Sequence, residues 1–392
     1  MEPTREKGSF VTAGRVLAAI GILVLLMILG GGWAVASNFD NLGNLTRVVA
    51  LMRTQGIYKV STSRLVEGAI EGMVGSLNDP YSVYLTPVNY NRLQQQLQGS
   101  FAGLGMEVTI NKKDNYLTVK STIKGTPAQQ AGIRANDAIL RINSRDTRGM
   151  DLETAVGLLR GPVGSKVTLT IAGGGATGPV RQVALVRRQI NVPTVAGQMV
   201  APGIGYVAIS QFGAKTTDEM KAQLVSLMSQ NLNGLILDLR DNPGGELQSA
   251  VSVADFFLPK GSPVVYIDSN SGQEVLRQTV NPLVKVPVVV LVNGNTASAA
   301  EILAGAIKDT GVGILVGTKT FGKGVVQTVY PLSGGAGLKL TTARYLTPNK
   351  HYIQHKGIEP DVVVANPADN KPDLQYDRAM KIIQEKVKVN AA

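Results

Sequence analysis

Val288 to Ile307 reads VVVLVNGNTASAAEILAGAI, and it divides into three parts. The opening VVVLV run, all apolar and mostly β-branched, is the signature of a strand covered on both faces. Asn293-Gly294-Asn295 supplies turn residues that tolerate positive φ. From Ala299 onward apolar residues fall at helical spacing, and Ser298 with Glu301 three residues later is a capping box. A buried strand that turns straight into a helix is half of a βαβ unit, so the stretch places an α/β core in this part of the chain.

The alternation extends in both directions. Upstream lie a strand at Ile204 to Ile209, a helix at Thr217 to Met228, a strand at Gly234 to Arg240 and a helix at Leu247 to Phe257; downstream, Ile314 to Gly317 is the next strand. The core is assigned to residues 190–370. In 371–392, Tyr376, Ala379, Met380, Ile383 and Val387 share one helical face, which predicts a tail helix docked on the core or on a second subunit. Residues 98–189 read as a small β-barrel. Its loop Phe101-Ala102-Gly103-Leu104-Gly105-Met106 is loosened by glycine, so backbone N–H groups can converge on a carboxylate, and a strand edge follows. Ala155, Val156 and Leu159 on a helix from Leu152 to Arg160 can wall a groove beside that edge; a barrel that binds nothing is the alternative. Residues 38–97 show helical spacing around Val48, Leu51 and Met52, then Leu65, Ala69, Ile70 and Met73, broken by Asp79-Pro80-Tyr81-Ser82.

At 392 residues the chain is long enough for more than one core. Residues 1–15 carry Arg5, Lys7 and Arg15, and Val16 to Ser37 then holds no charge. That run has the length of a bilayer-crossing helix, and the basic residues ahead of it predict a single-pass anchor over 16–37 with the bulk outside the cytoplasm. Ala34-Val35-Ala36 also fits a signal-peptidase site, and cleavage after Ala36 would release the rest. Cysteine is absent, which excludes disulfides and thiolate metal sites. The net charge of +11 comes from dispersed Lys and Arg, and aromatic residues are 5% of the chain, so no stacking platform for nucleic acid is evident.

The chain has two histidines, His351 and His355, so a serine nucleophile here needs another base. Ser298 stands where a buried strand meets a helix N-terminus, a point of positive potential suited to developing negative charge. It is also adequate as a plain helix cap. Lys323, in Thr318 to Gln327 (TKTFGKGVVQ), lies between Gly322 and Gly324 beside Phe321. Burial there would favour the neutral amine a base requires, whereas an exposed loop lysine is the ordinary reading. If Lys323 to Gln327 is a strand, Lys323, Val325 and Gln327 share a face and Gln327 can hold the amine without adding charge. Rival motifs fail: Gly317 to Gly324 (GTKTFGKG) lacks the Ser or Thr of a P-loop, Ser121-Thr122-Ile123-Lys124 has no K-T-G or S-D-N companion, and no G-x-S-x-G elbow exists. The His351–His355 pair supplies no third metal ligand.

The serine and lysine segments, with Asp241-Asn242-Pro243-Gly244-Gly245 and the barrel upstream, resemble the carboxyl-terminal processing peptidases, or tail-specific proteases, from about Asp79 to Asp361. The resemblance implies a ClpP/crotonase-like core with an inserted PDZ domain over 98–189, behind an N-terminal helical arm that pairs subunits as a homodimer or higher. It implies Ser298 as nucleophile, Lys323 as general base, Gln327 as the residue that orients the base, and the backbone amides of Ala299 and Gly245 as oxyanion hole. Phe101, Leu104, Gly105, Met106, Val156 and Leu159 become the peptide groove for unstructured C-termini. In a further reading, a PDZ-gated signalling protease whose resting core is misassembled until peptide binds, Arg160 just after the groove helix links PDZ position to the core. The resemblance implies no cofactor and no metal. The alternative is a non-catalytic PDZ adaptor at the membrane.

Overall fold

The computed structural model describes residues 39–279, 282–369 and 371–391. The predicted anchor over 16–37 lies outside them, and among the described residues no helix is long and apolar enough to cross a membrane. The chain divides into two compact units, Met1–Asn78 and Asp79–Ala392. The first holds helices Phe39–Thr54 and Thr62–Gly75, the second of them N-capped by Ser61, whose side chain accepts from Arg64 N.

The centre of the second unit is a six-stranded sheet in the order Val195–Ala201, Ile204–Ile209, Gly234–Asp238, Val288–Val292, Gly313–Gly317, Val362–Val363, antiparallel at the first pair and parallel thereafter. Every residue of Gly234–Asp238 and Val288–Val292 is buried, as an uninterrupted apolar run predicts. Their side chains alternate: Leu235, Leu237, Val288, Val290 and Val292 pack with the helices Thr216–Met228, Leu247–Ala254 and Ala299–Asp309. Ile236, Val289 and Leu291 face the other way, onto Ala379, Ile382 and Ile383 of the tail helix Leu374–Ala391. Both faces are covered, and each Leu, Ile or Val so buried contributes roughly 1.5–3 kcal/mol.

A second, antiparallel sheet of Val83–Leu85, Gly337–Leu346, Pro263–Ser269 and Gly272–Gln278, with Val325–Pro331 also on Gly337–Leu346, closes over the helix side of the core. It alters two expectations. The helical arm foreseen over 38–97 ends at Asn78: Val83–Leu85 is a strand of this sheet and Pro87–Leu97, N-capped by Thr86, belongs to the second unit. Three residues are too few for a period to show, and pairing with a distant strand decides their state. Lys323 precedes its strand, which begins at Val325 and carries a bulge between Val326 and Gln327, so the simple even spacing from Lys323 to Gln327 does not hold.

The barrel packs Leu117, Val119, Ile139, Ile142, Leu169 and Ile171 inside, with helices Pro127–Gln130 and Leu152–Leu159 against its strands. Gly173 to Gly178 is the hairpin connection between Lys166–Ala172 and Val180–Val186. Ser100–Gly103 pairs with Arg188–Asn191, so the barrel is entered and left through adjacent strands.

Candidate active site

Two loops are laced together at the C-terminal ends of the central strands. Asn242 is fully buried: its Nδ2 donates to Ile209 O at 2.8 Å, its Oδ1 accepts from Gly244 N at 2.9 Å and its carbonyl accepts from Ala297 N at 2.9 Å. Thr296 Oγ1 donates to Leu239 O at 2.8 Å, and Asp241 accepts from Asn293 Nδ2 at 3.0 Å and Asn295 Nδ2 at 2.8 Å. These bonds fix the turn that ends at Ser298, whose φ of 56° and ψ of −118° are unusual for a residue with a Cβ. Such a backbone costs on the order of 1–3 kcal/mol and persists only where its surroundings over-determine it.

Ser298 and Glu301 form a capping box at the start of Ala299–Asp309. Glu301 Oε2 accepts from Ser298 N at 2.8 Å, and Glu301 N donates to the Ser298 carbonyl at 2.8 Å. Half-buried Ser298 lines a cleft of about 300 Å³ together with Ala299, Gly245, Lys323, Gln327 and Lys339, with Leu93, Leu97, Ile302 and Val325 among the apolar walls. Gly244 and Gly245 hold φ of 97° and 135°. A Cβ on Gly245 would collide with the Phe212 carbonyl, and one on Gly244 would come within 2.8 Å of Ser298 Cβ, so both positions require glycine. Among the described residues neither Gly245 N nor Ala299 N has a protein acceptor.

The lysine loop approaches from the other side. Gly322 and Gly324 press against the backbone of 354–357, where a Cβ on Gly322 would lie 2.7 Å from Gly357 N and one on Gly324 2.8 Å from Gln354 N. Lys323 Nζ lies 5.0 Å from the centre of the Tyr81 ring and makes no ion pair among the described residues. Burial, and then the Lys339 charge, push its pKa down, against smaller opposing effects of Glu301 and Asp79. Gln327 lines the same cleft; its Nε2 donates to Thr341 Oγ1 at 3.5 Å and not to Lys323. His351 and His355 are exposed and outside the cleft.

Glu301 does more than its place in the sequence shows. Fully buried, it also accepts from Thr320 Oγ1 at 2.6 Å, Gly322 N at 2.7 Å and Lys323 N at 2.9 Å, so one carboxyl group joins the serine turn to the lysine loop. Tyr345, equally buried, makes the complementary tie: its hydroxyl lies 3.1 Å from Ser298 O and 2.5 Å from Lys323 O. Only the Ser298–Glu301 spacing was legible beforehand, since the other partners are remote in sequence.

In the barrel, Leu104 and Leu159 are buried in its own core, while Met106 packs partly against it. Gly105 has φ of 78°, and a Cβ there would collide with Thr126. Val156 and Arg160 border a cavity of about 1030 Å³ beside Val88, Arg92 and Leu152. Phe101 and Arg160 border another of about 380 Å³, with the guanidinium 5.2 Å from the ring centre.

This arrangement of a serine turn, a lysine loop and a flanking barrel coincides with the family matches. Residues 203–364 match Peptidase family S41, 94–172 match the PDZ domain, and 32–87 match the activating protease CtpB N-terminal domain. The carboxyl-terminal-processing protease of Synechocystis sp. is 39% identical over 325 residues, covering 80% of this chain and 76% of the relative. The chain belongs to peptidase family S41. A second S41 relative, the carboxy-terminal processing protease CtpA of Bacillus subtilis, is 37% identical over 347 residues, covering 88% of this chain and 73% of its own length. A putative S41 protease from Bacteroides fragilis shares the fold, with a TM-score of 0.54 at 18% identity over 81% of this chain and 90% of that one. This S41 member is thus a carboxyl-terminal processing serine protease with a PDZ domain.

Proposed function

We propose that the protein is an extracytoplasmic serine endopeptidase in which Ser298 is the nucleophile, Lys323 the general base, and the amides of Ala299 and Gly245 the oxyanion hole. The strained Ser298 turn carries this reading, because it sets the serine in the same cleft as a half-buried lysine that makes no ion pair among the described residues. Neutral Lys323 Nζ takes the proton as Ser298 Oγ attacks the peptide carbonyl. The carbonyl oxygen becomes an anion held by the two free N–H groups, a kind of contact worth ~3–4 kcal/mol in the transition state. The Lys323 ammonium then protonates the leaving amine, and water deprotonated by the same lysine releases the acyl group as a carboxylic acid.

The barrel takes unstructured C-termini beside its Phe101–Met106 loop, and Val156 and Arg160 border the open space there; Leu104 and Leu159 support the groove from inside. The ClpP/crotonase-like kinship of the core, the anchor over 16–37 with the catalytic part outside the cytoplasm, pairing through the helical arm, and the absence of a cofactor, metal or nucleic-acid partner complete the reading. A second reading, a resting state completed when peptide binds, is favoured by Gln327 engaging Thr341 and by the lack of a hydrogen bond between Lys323 Nζ and Ser298 Oγ. Digestion of an unfolded protein with an apolar C-terminus by the full chain in detergent tests both. Cleavage by the parent, abolished in Ser298→Ala and Lys323→Ala and weakened when the tail is amidated, supports the dyad. Cleavage that survives both substitutions would sink it. A lag removed by adding tail peptide distinguishes the resting state.

A further inference from the structure

Lys339 is a cation that the mechanism above does not use, and the sheet fixes where it stands. Gly337–Leu346 is a central strand: Lys339 is opposite Val329 on one side and Val83 on the other, and Thr341, two residues along on the same face, is opposite Gln327. Val329, Gln327 and Lys339 all line the cleft that holds Ser298 and Lys323. Lys339 is half-buried and has no acidic partner among the described residues. A half-buried, unpaired ammonium in a catalytic cleft needs an explanation, because such charges are ordinarily paired.

We propose that Lys339 is a positioning residue for the base: its ammonium, fixed by the sheet in the cleft that also holds Lys323, keeps the Lys323 amine free to accept the Ser298 proton. The inference rests on the reading of Ser298 and Lys323 as the catalytic pair. The groups around Lys323 pull in opposite directions. Asp79 and the Tyr81 ring from the turn before Val83–Leu85, and Glu301 from the serine helix, favour the ammonium; Gln327 and the Tyr345 hydroxyl are uncharged. Burial and Lys339 are the opposing influences, and Lys339 is the one cation among the charges that act on the base. A like charge in the same cleft disfavours the charged form of Lys323, so the second lysine makes the first a better base near neutrality.

The test is the pH profile of kcat/KM for the full chain in detergent, comparing the parent with Lys339→Met, which keeps an apolar stem, and Lys339→Arg, which keeps the charge. In Lys339→Met the midpoint of the acid limb moves to higher pH, activity at neutral pH falls by about threefold to tenfold, and the alkaline plateau is retained. Lys339→Arg follows the parent. Raising salt narrows the gap between the parent and Lys339→Met midpoints, because the Lys339 charge is what separates them. In parallel, the pH dependence of Lys323 acylation by a small amine-reactive reagent, read by mass spectrometry, reports the same midpoint without turnover, and it moves upward in Lys339→Met. An unmoved midpoint in both measurements overturns the proposal, as does a loss confined to KM, which would make Lys339 a contact for a substrate carboxylate. Activity that survives Ser298→Ala would instead remove the catalytic pair itself, so the two failures are told apart.

Discussion

Ser298 is held in its unfavourable conformation by Glu301 and Tyr345, one collecting N–H groups of the serine and lysine segments and the other tying their carbonyls. A glutamine at 301 keeps the shape but turns an amide N–H₂ toward donors that need an acceptor. Glu301→Gln should therefore lower stability by about 2–4 kcal/mol, given ~1.5–3 kcal/mol for a buried hydrogen bond to a charged group. It should also lower kcat by more than about 100-fold with a smaller effect on KM, because a misplaced hydroxyl and base misalign the attack. Denaturant titration and steady-state kinetics read the two effects separately; an unchanged kcat in a destabilised protein would confine Glu301 to folding. Gly245→Ala makes a sharper case, since the Cβ cannot fit against the Phe212 carbonyl and φ of 135° is closed to alanine. Here the loop that carries the Gly245 amide must shift, and kcat should drop by about 100-fold, the effect of losing one oxyanion donor. Parent-like kcat in Gly245→Ala would take Gly245 out of the oxyanion hole.

Elements that are buried on both faces, or that pack along one full helical face, were legible in the sequence, because their apolar runs and periods are local properties. Val288–Val292, Ala299–Asp309 and the tail helix stand where the pattern puts them. The five-stranded antiparallel sheet was not legible: its strands are half-exposed, and its bulge at Val326 and Gln327 exists only through pairing with Gly337–Leu346. The same holds for the attachment of the tail helix. Arg240, at the end of Gly234–Asp238, makes a bidentate contact to Asp238 and reaches Asp373 at 2.8 and 2.9 Å just before the tail helix begins. Burial pushes the Asp373 carboxyl up, but bonds from Arg240, Tyr376 N and Asn366 outweigh it and hold the pKa below the usual carboxylate value. A depressed carboxylate pKa contributes stability that is present above the unfolded value, about 3.9, and is lost as pH falls through the folded one. Asp373→Asn should therefore lower Tm at neutral pH and flatten its fall below about pH 4. With the carboxylate 36% exposed, the loss should stay within about 1 kcal/mol. Thermal unfolding of parent and variant between pH 7 and 3 checks this; parallel curves would show that the pair adds nothing to tail docking.

Across the whole second unit, one helix stands between the cleft that holds Ser298 and Lys323 and the PDZ side. Leu93 and Leu97 of Pro87–Leu97 line the cleft, whereas Asn91, Arg92 and Gln95 line the cavities that Arg160 also borders. The helix is tied to the core through Ala214 N to Leu97 O at 2.9 Å and to the PDZ helix through an exposed Arg92–Glu153 pair at 3.3 Å. The exposed pair is worth little; Arg160, also exposed, stacks on Phe101 and borders both cavities that this helix lines, which makes it the proposed link. Burial and the neighbouring Arg92 push the Arg160 pKa down, the mark of a guanidinium with no acid beside it. If an anionic peptide terminus in either cavity draws on that guanidinium, Pro87–Leu97, which lines both these cavities and the cleft, is the route by which the cleft would respond. Arg160→Ala is therefore expected to leave the affinity for a tail peptide within about threefold while lowering peptide-stimulated kcat by roughly tenfold or more, because a coupling free energy of about 1–3 kcal/mol is lost and not a binding one. Arg160→Lys should not restore it, since an ammonium lacks the planar stacking on Phe101. Peptide affinity by fluorescence anisotropy, beside turnover with and without added peptide, separates the two quantities. Unchanged values of both in Arg160→Ala would mean that PDZ position reaches the cleft by another route, with Arg92 and Gln95 on the shared helix the next residues to change.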